Sequence, residues 1–128
     1  VRLLLDSHTL YWALYEPEKL SANANHLVAD TSNEIFVSLS SLWELANKAA
    51  IHRLPLAGSS VEALAARIED LGVTWLSLTK DVILAAANLP PHHLDPFDRI
   101  LVALAQAHLL DVVTKDPMIT LYDVAIRW

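Results

Sequence analysis

Four carboxylates stand where the apolar pattern of this 128-residue chain breaks: Asp6 in LLLDSH, Glu44 in SSLWEL, Asp98 in LDPFDRI and Asp116 in VVTKDP. Acidic side chains at such junctions can converge on one edge of a parallel sheet, and a converged set is a site for a hard divalent cation. Oxygen ligands of this kind suit Mg²⁺ or Mn²⁺, which keep several waters and take their remaining ligands from a phosphate substrate. The chemistry implied is metal-assisted phosphodiester hydrolysis. Neighbouring carboxylates raise one another's pKa and cannot all stay ionised without compensation. One or two divalent ions remove that cost, and two ions roughly 4 Å apart can activate a water, orient the phosphate and stabilise the leaving oxygen.

Each acid also has a purely structural use. Asp6 precedes a helical stretch and can be its N-cap. Ser41 and Glu44 have the S-x-x-E spacing of a capping box. Asp95 is an equally good cap, with Asp98 three residues later favoured by the helix dipole, and Asp116 before Pro117 can start a turn. A cap and a ligand are not exclusive, because a carboxylate aimed at a helix N-terminus can offer its second oxygen to a metal. Around the acids, Ser7 can orient a ligand or water, and Arg99 and Lys115 can meet phosphate, their default being ion pairs with the acids they adjoin. Lys48 is spaced to pair with Glu44 along a helix. His8, His92 and His93 are weaker candidates, expected mainly at solvent. Trp12, Trp43, Trp75 and Trp128 are expected in the core or at an interface, because no basic residues are interleaved with them as in a base-stacking platform.

The acids need a scaffold, and the hydrophobic periodicity predicts one. Strands are expected over Arg2–Leu5, Glu34–Ser38, Val73–Leu78, Asp111–Thr114 and Val124–Trp128. Helices are expected over Ser7–Tyr15, from a Ser21 cap through Val28, over Ser41 to about His52, Ser60–Leu71, Lys80–Asn88 and Asp95–His108. Gly72 closes the fourth of these in the manner of a left-handed cap. Short strands alternating with helices imply an α/β fold with a parallel sheet and right-handed crossovers. Ligands of such sheets bind outside the carboxyl ends of strands. Asp6 and Asp116 follow two strands and Glu44 lies just after a third, whereas Asp98 follows a loop and its place on that edge does not follow from the sequence.

Length and the absence of repeats or linkers indicate one domain over residues 1–128. Cysteine is absent, which excludes a disulfide framework and a thiolate metal site. The net charge of −6, from fifteen acidic and nine basic residues, argues against a broad basic face for nucleic acid. A nucleic-acid substrate would need bound metal and a few placed cations. The apolar fraction of 54% marks a protein interface more than a membrane span, since no apolar run approaches the required length of about 20 residues. A cytoplasmic protein with no membrane partner is expected.

LLLDSHTLYWAL, EIFVSLSSLWELANK, LPPHHLDPFDRILVALAQ and VVTKDPMITLYDV together resemble the PIN-domain family, specifically a VapC-type toxin of a toxin–antitoxin pair, over nearly the full length. The resemblance implies a three-layer α/β/α sandwich with a mainly parallel central sheet and an Mg²⁺- or Mn²⁺-dependent endoribonuclease holding one or two ions. Asp6, Glu44, Asp98 and Asp116 match the family's four acids, as metal ligands and catalytic residues. Asp95 matches an extra acid of this subgroup, a helix cap or a support to the ligands alongside Ser7 and Thr114. It further implies in-line attack of activated water leaving a 5′-phosphate, an RNA substrate, a homodimer and a cognate antitoxin threaded over the groove. Two other functions compete. An aspartyl-nucleophile phosphotransferase would put a second acid two residues after Asp6, where this chain has His8. A non-catalytic binding module would have no need of all four acids.

Overall fold

The computed structural model describes residues 1–51 and 54–128. Among them, strands β1 (Arg2–Leu5), β2 (Glu34–Ser38), β3 (Thr74–Leu76), β4 (Asp111–Val113) and β5 (Ile126–Arg127) form one sheet in the order β3-β2-β1-β4-β5. All four pairings are parallel. The helices are α1 (Ser7–Tyr15), α2 (Ala22–Ala29), α3 (Leu39–Ile51), α4 (Val61–Glu69), α5 (Lys80–Ala87) and α6 (Pro96–His108), with 3₁₀ turns at Pro17–Lys19 and Ile119–Leu121.

The strands read as unbroken apolar runs because both faces of the sheet are covered. Leu3, Leu5, Ile35, Val37 and Val113 point into one cluster with Leu10, Ala24, Leu27, Leu45, Leu64 and Ile68 from α1 to α4. Leu4, Phe36, Leu76 and Val112 point the other way, onto Val82 and Ala86 of α5 and Leu101, Val102, Leu104 and Ala105 of α6. The alternation of neighbouring residues between two cores is the period of a strand, and it makes the three-layer sandwich.

Ser21 caps α2 as expected, and Ser60 and Thr79, not expected as caps, do the same for α4 and α5, each through a backbone N–H donor three residues on; Gly72 closes the turn after α4 with φ 74°. Several boundaries differ from expectation. Strands β3 and β5 are shorter, since only their central residues find partners. Helix α3 begins at Leu39, so Ser41 and Glu44 lie inside it and make no capping box; the turn into it is held instead by Ser38 Oγ, which accepts from the Ser40 N–H at 3.0 Å. The expected end of that helix at His52 falls outside the described residues. Helix α6 ends at His108 as expected, but without glycine, its cap Leu109 taking the left-handed region with φ 55°.

Strand β1 leads by crossover to β2 on one side, while the chain later returns to place β4 on the other. The gap beyond the carboxyl ends of β1 and β4 is therefore the switch point of the sheet, the place where open α/β folds bind ligands.

Candidate active site

Register places the first two site residues side by side. Leu5 pairs with Val113, so the next residues along each strand, Asp6 and Thr114, stand together at the switch point. Thr114 Oγ1 donates to Asp6 Oδ2 and accepts from the Asp116 N–H at 3.0 Å. The other Asp6 oxygen caps α1 by accepting from Thr9 N–H at 2.7 Å, and Thr9 Oγ1 donates to the Val113 carbonyl at 2.9 Å. Asp6 is thus the helix cap that the sequence allowed, 4% exposed, with its second oxygen turned to Thr114 at the switch point.

Glu44 enters from α3, also buried. Ser7 Oγ donates to its Oε1 at 2.5 Å and Lys48 Nζ to its Oε2 at 2.8 Å, the expected i,i+4 pair. Both oxygens of this carboxylate are satisfied, and the ammonium supplies the charge that its burial requires.

Asp98, the acid that sequence could not place, comes in on the first turn of α6. Burial first, then the Asp95 charge, with smaller contributions from Glu44 and Asp6 and against the opposing His93, push its carboxyl up to about 7. Carboxylates from the cap of α1 and from α3 are therefore near enough to act on the one from α6. Asp95 caps α6, its Oδ1 accepting from Phe97 N–H at 2.8 Å and Asp98 N–H at 3.4 Å. Asp116 completes the set from the turn after β4, where its Oδ1 accepts from Met118 N–H at 2.9 Å, the turn-starting role expected of it.

Two expectations are corrected. Arg99 was a candidate phosphate contact, but its guanidinium points away from that task and donates to five carbonyls, those of Ala86, Ala87, Leu89, Pro90 and His93. It ties the end of α5 and the following loop to α6. His93 was expected mainly at solvent, yet it turns into the site, with Nε2 3.1 Å from Asp98 Oδ2 and 2.8 Å from Asp116 Oδ2. His92 does point outward, edge-on against Tyr122 with ring centroids 5.1 Å apart. The sequence offers only the rule that adjacent histidines point apart; which of the two turns inward is set by the loop, held by Tyr122 and Arg99.

An open cleft of about 360 Å³ runs from Asp6 and Asp116 past His8, Trp12, Lys115 and Pro117. The Lys115 ammonium lies 4.7 Å from the centroid of the Trp12 ring and is exposed at the cleft wall. His8, where an aspartyl-nucleophile enzyme would have its second acid, is exposed and packs at 5.8 Å against Trp12. Trp12, Trp75 and Trp128 pack on the first core cluster, whereas Trp43 is 60% exposed.

Ligating atoms of His93, Asp98 and Asp116 all lie within 4.8 Å of one another, close enough to hold a metal ion. The donors are oxygen and imidazole, and a carboxyl held near 7 by burial and like charge is one that a divalent cation would relieve. The residues present fit a hard cation.

A PIN domain sequence profile matches residues 3–126. Ribonuclease VapC22 of Mycobacterium tuberculosis is 34% identical over 117 residues, covering 89% of this chain and 86% of the relative. Among solved structures, the VapBC2 structure from Rickettsia felis, bound to a DNA fragment from the promoter, aligns with a TM-score of 0.71 at 14% identity, over 100% of this chain and 99% of the matched one. VapC20 of M. tuberculosis, a sarcin–ricin loop cleaving toxin, aligns at 0.69 with 16% identity over 96% of each chain. At those identities the structures speak for the fold, and the sequence matches carry the kinship. A parallel sheet with acids gathered at its switch point, the profile over almost the whole length and the VapC22 match agree: the chain belongs to the PIN-domain family.

Proposed function

We propose that this chain is a metal-dependent endoribonuclease acting as the toxin of a VapBC-like pair. The observation that carries the reading is the cluster of His93, Asp98 and Asp116, whose ligating atoms lie within 4.8 Å of one another, with the charges of Glu44 and Asp6 near enough to raise the Asp98 carboxyl. The kinship with the 34% identical ribonuclease VapC22 supports RNA as the substrate class.

Asp98 and Asp116, with Asp6 and Glu44 behind them, would hold one or two Mg²⁺ or Mn²⁺ ions. Such ions, when bound, supply Lewis-acid stabilisation of the phosphate and lower the pKa of water. Thr114 keeps Asp6 and the Asp116 backbone in register, and Ser7 and Lys48 keep Glu44 oriented. Lys115, on the cleft wall, is placed to meet a phosphate of the strand. Asp95 supports the set by capping α6 under Asp98. The cognate antitoxin as partner is supported by the VapBC complex among the structural matches. Homodimerisation and a cytoplasmic site of action belong to the same reading. No helix among the described residues is long and apolar enough to cross a membrane.

The test is cleavage of structured RNA by antitoxin-free protein with Mg²⁺, with Mn²⁺ and with EDTA, alongside Asp6→Asn and Asp98→Asn. Metal-dependent cutting lost in both folded variants is expected. Cutting that persists in both would overturn the assignment of the site. A folded protein that cuts none of several RNAs with either metal would favour a binding module.

A further inference from the structure

Among the described residues, His93 is the side chain that touches both Asp98 and Asp116, and its ring nitrogens have different partners. Nε2 faces the two carboxylates at 3.1 and 2.8 Å, while Nδ1 accepts from the backbone N–H of Asp95 at 3.2 Å. A ring nitrogen that accepts carries no proton, so the proton of the neutral ring sits on Nε2. That proton lies between an oxygen of Asp98 and an oxygen of Asp116. Ligation of a cation through Nε2 would require the ring to lose this proton and then either give up the Asp95 N–H or become an anion. A ring close enough to join a ligand set is therefore arranged as a donor.

The loop that carries the ring is held on both sides. The His93 N–H donates to Tyr122 Oη at 2.9 Å, and the Tyr122 hydroxyl donates to the Pro90 carbonyl at 2.7 Å. Arg99 donates to the carbonyls of Pro90 and His93 at 3.1 and 3.2 Å. Asp98 and Asp116 belong to separate elements, α6 and the turn after β4, and like charge would drive them apart.

We propose that His93 is a positioning residue: its Nε2–H ties Asp98 to Asp116 and sets their spacing as ligands, and the ring stays a hydrogen-bond donor when the ion is bound. The inference rests on the metal-site reading above and deepens it. Two measurements test it. Long-range ¹H–¹⁵N spectra of EDTA-treated protein, with the His93 signals assigned by their loss in His93→Gln, should show Nε2 protonated and Nδ1 bare, unchanged on adding Mg²⁺. A proton on Nδ1, or an Nε2 proton displaced by Mg²⁺, overturns the proposal. Mn²⁺ affinity, read by calorimetry, should fall about tenfold or more in His93→Ala and recover most of that loss in His93→Gln, whose carboxamide N–H can donate from nearly the same place. An unchanged affinity in His93→Ala, or a loss equal in both variants, overturns it as well. Wild-type protein that binds no Mn²⁺ would remove the metal reading instead, and the protonation of His93 in EDTA would still decide the tie between the two carboxylates.

Discussion

Replacing Asp98 by asparagine in protein held in EDTA tests the electrostatics of the site without any cleavage. Burial first, and the Asp95 carboxylate second, move the Asp98 carboxyl from an ordinary 3.8 to about 7. The unfolded chain loses this proton near the lower value and the folded chain near the higher one. Between them the folded state holds a proton that the unfolded state has released, so stability falls as pH rises from about 4 to about 7 and stays low above. Taken in full, at 1.36 kcal/mol per pH unit, the loss is about 4 kcal/mol. The side chain is 24% exposed, and solvent screening brings the expected effect to about 2 kcal/mol. Asparagine keeps the shape, can accept from His93 Nε2–H through its oxygen, and has no charge to desolvate. Asp98→Asn should therefore melt about 6–10 °C above wild type at pH 8 for a chain of this size, and level with it at pH 4. Circular-dichroism melts in EDTA from pH 4 to 8 read this directly. Added Mn²⁺ should raise the wild-type melting temperature and leave that of the variant little changed. No gain at pH 8, or an equal gain at pH 4 and pH 8, would refute the electrostatic account.

Three further outcomes follow from the hydrogen bonds around the site. Asp95→Ala removes the α6 cap and should cost about 1 kcal/mol in urea unfolding; loss of all cleavage at unchanged stability would make Asp95 part of the reacting set. Arg99→Lys should cost about 2 kcal/mol or more, because one ammonium cannot serve five carbonyls, and Mn²⁺ affinity should fall with it. Thr114→Val keeps the volume but leaves an Asp6 oxygen without its buried donor, for a loss of about 1–3 kcal/mol by denaturant melt; a neutral result would show that water replaces the hydroxyl.

The readable part of this protein was local. Runs such as Arg2–Leu5 and Glu34–Ser38 are strands buried on both faces, and Ser21 and Asp95 cap the helices that follow. These signals depend on side chains within a few residues of one another, so the chain order carries them. The same locality misled at α3, where the Ser41 to Glu44 spacing mimics a capping box but the helix starts at Leu39, because Ser38 makes the turn. Asp6, Asp95 and Asp116 do perform the capping and turn-starting roles weighed against them, and they also stand at the site.

Residue types and spacing thus determined the parallel α/β class and most element positions, and picked out four acids whose oxygens suit a hard cation, since each is a property of a short stretch or of a functional group. Only the tertiary structure decided how the acids meet. The register of β1 on β4 puts Thr114 beside Asp6, the packing of α6 brings Asp98 within reach of Asp6 and Glu44, and the path of the Pro90–His93 loop turns one of two adjacent histidines inward while committing Arg99 to backbone carbonyls. Those outcomes join residues separated by tens of positions. Nothing local fixes the distance between them; it is set when two cores close on opposite faces of one sheet.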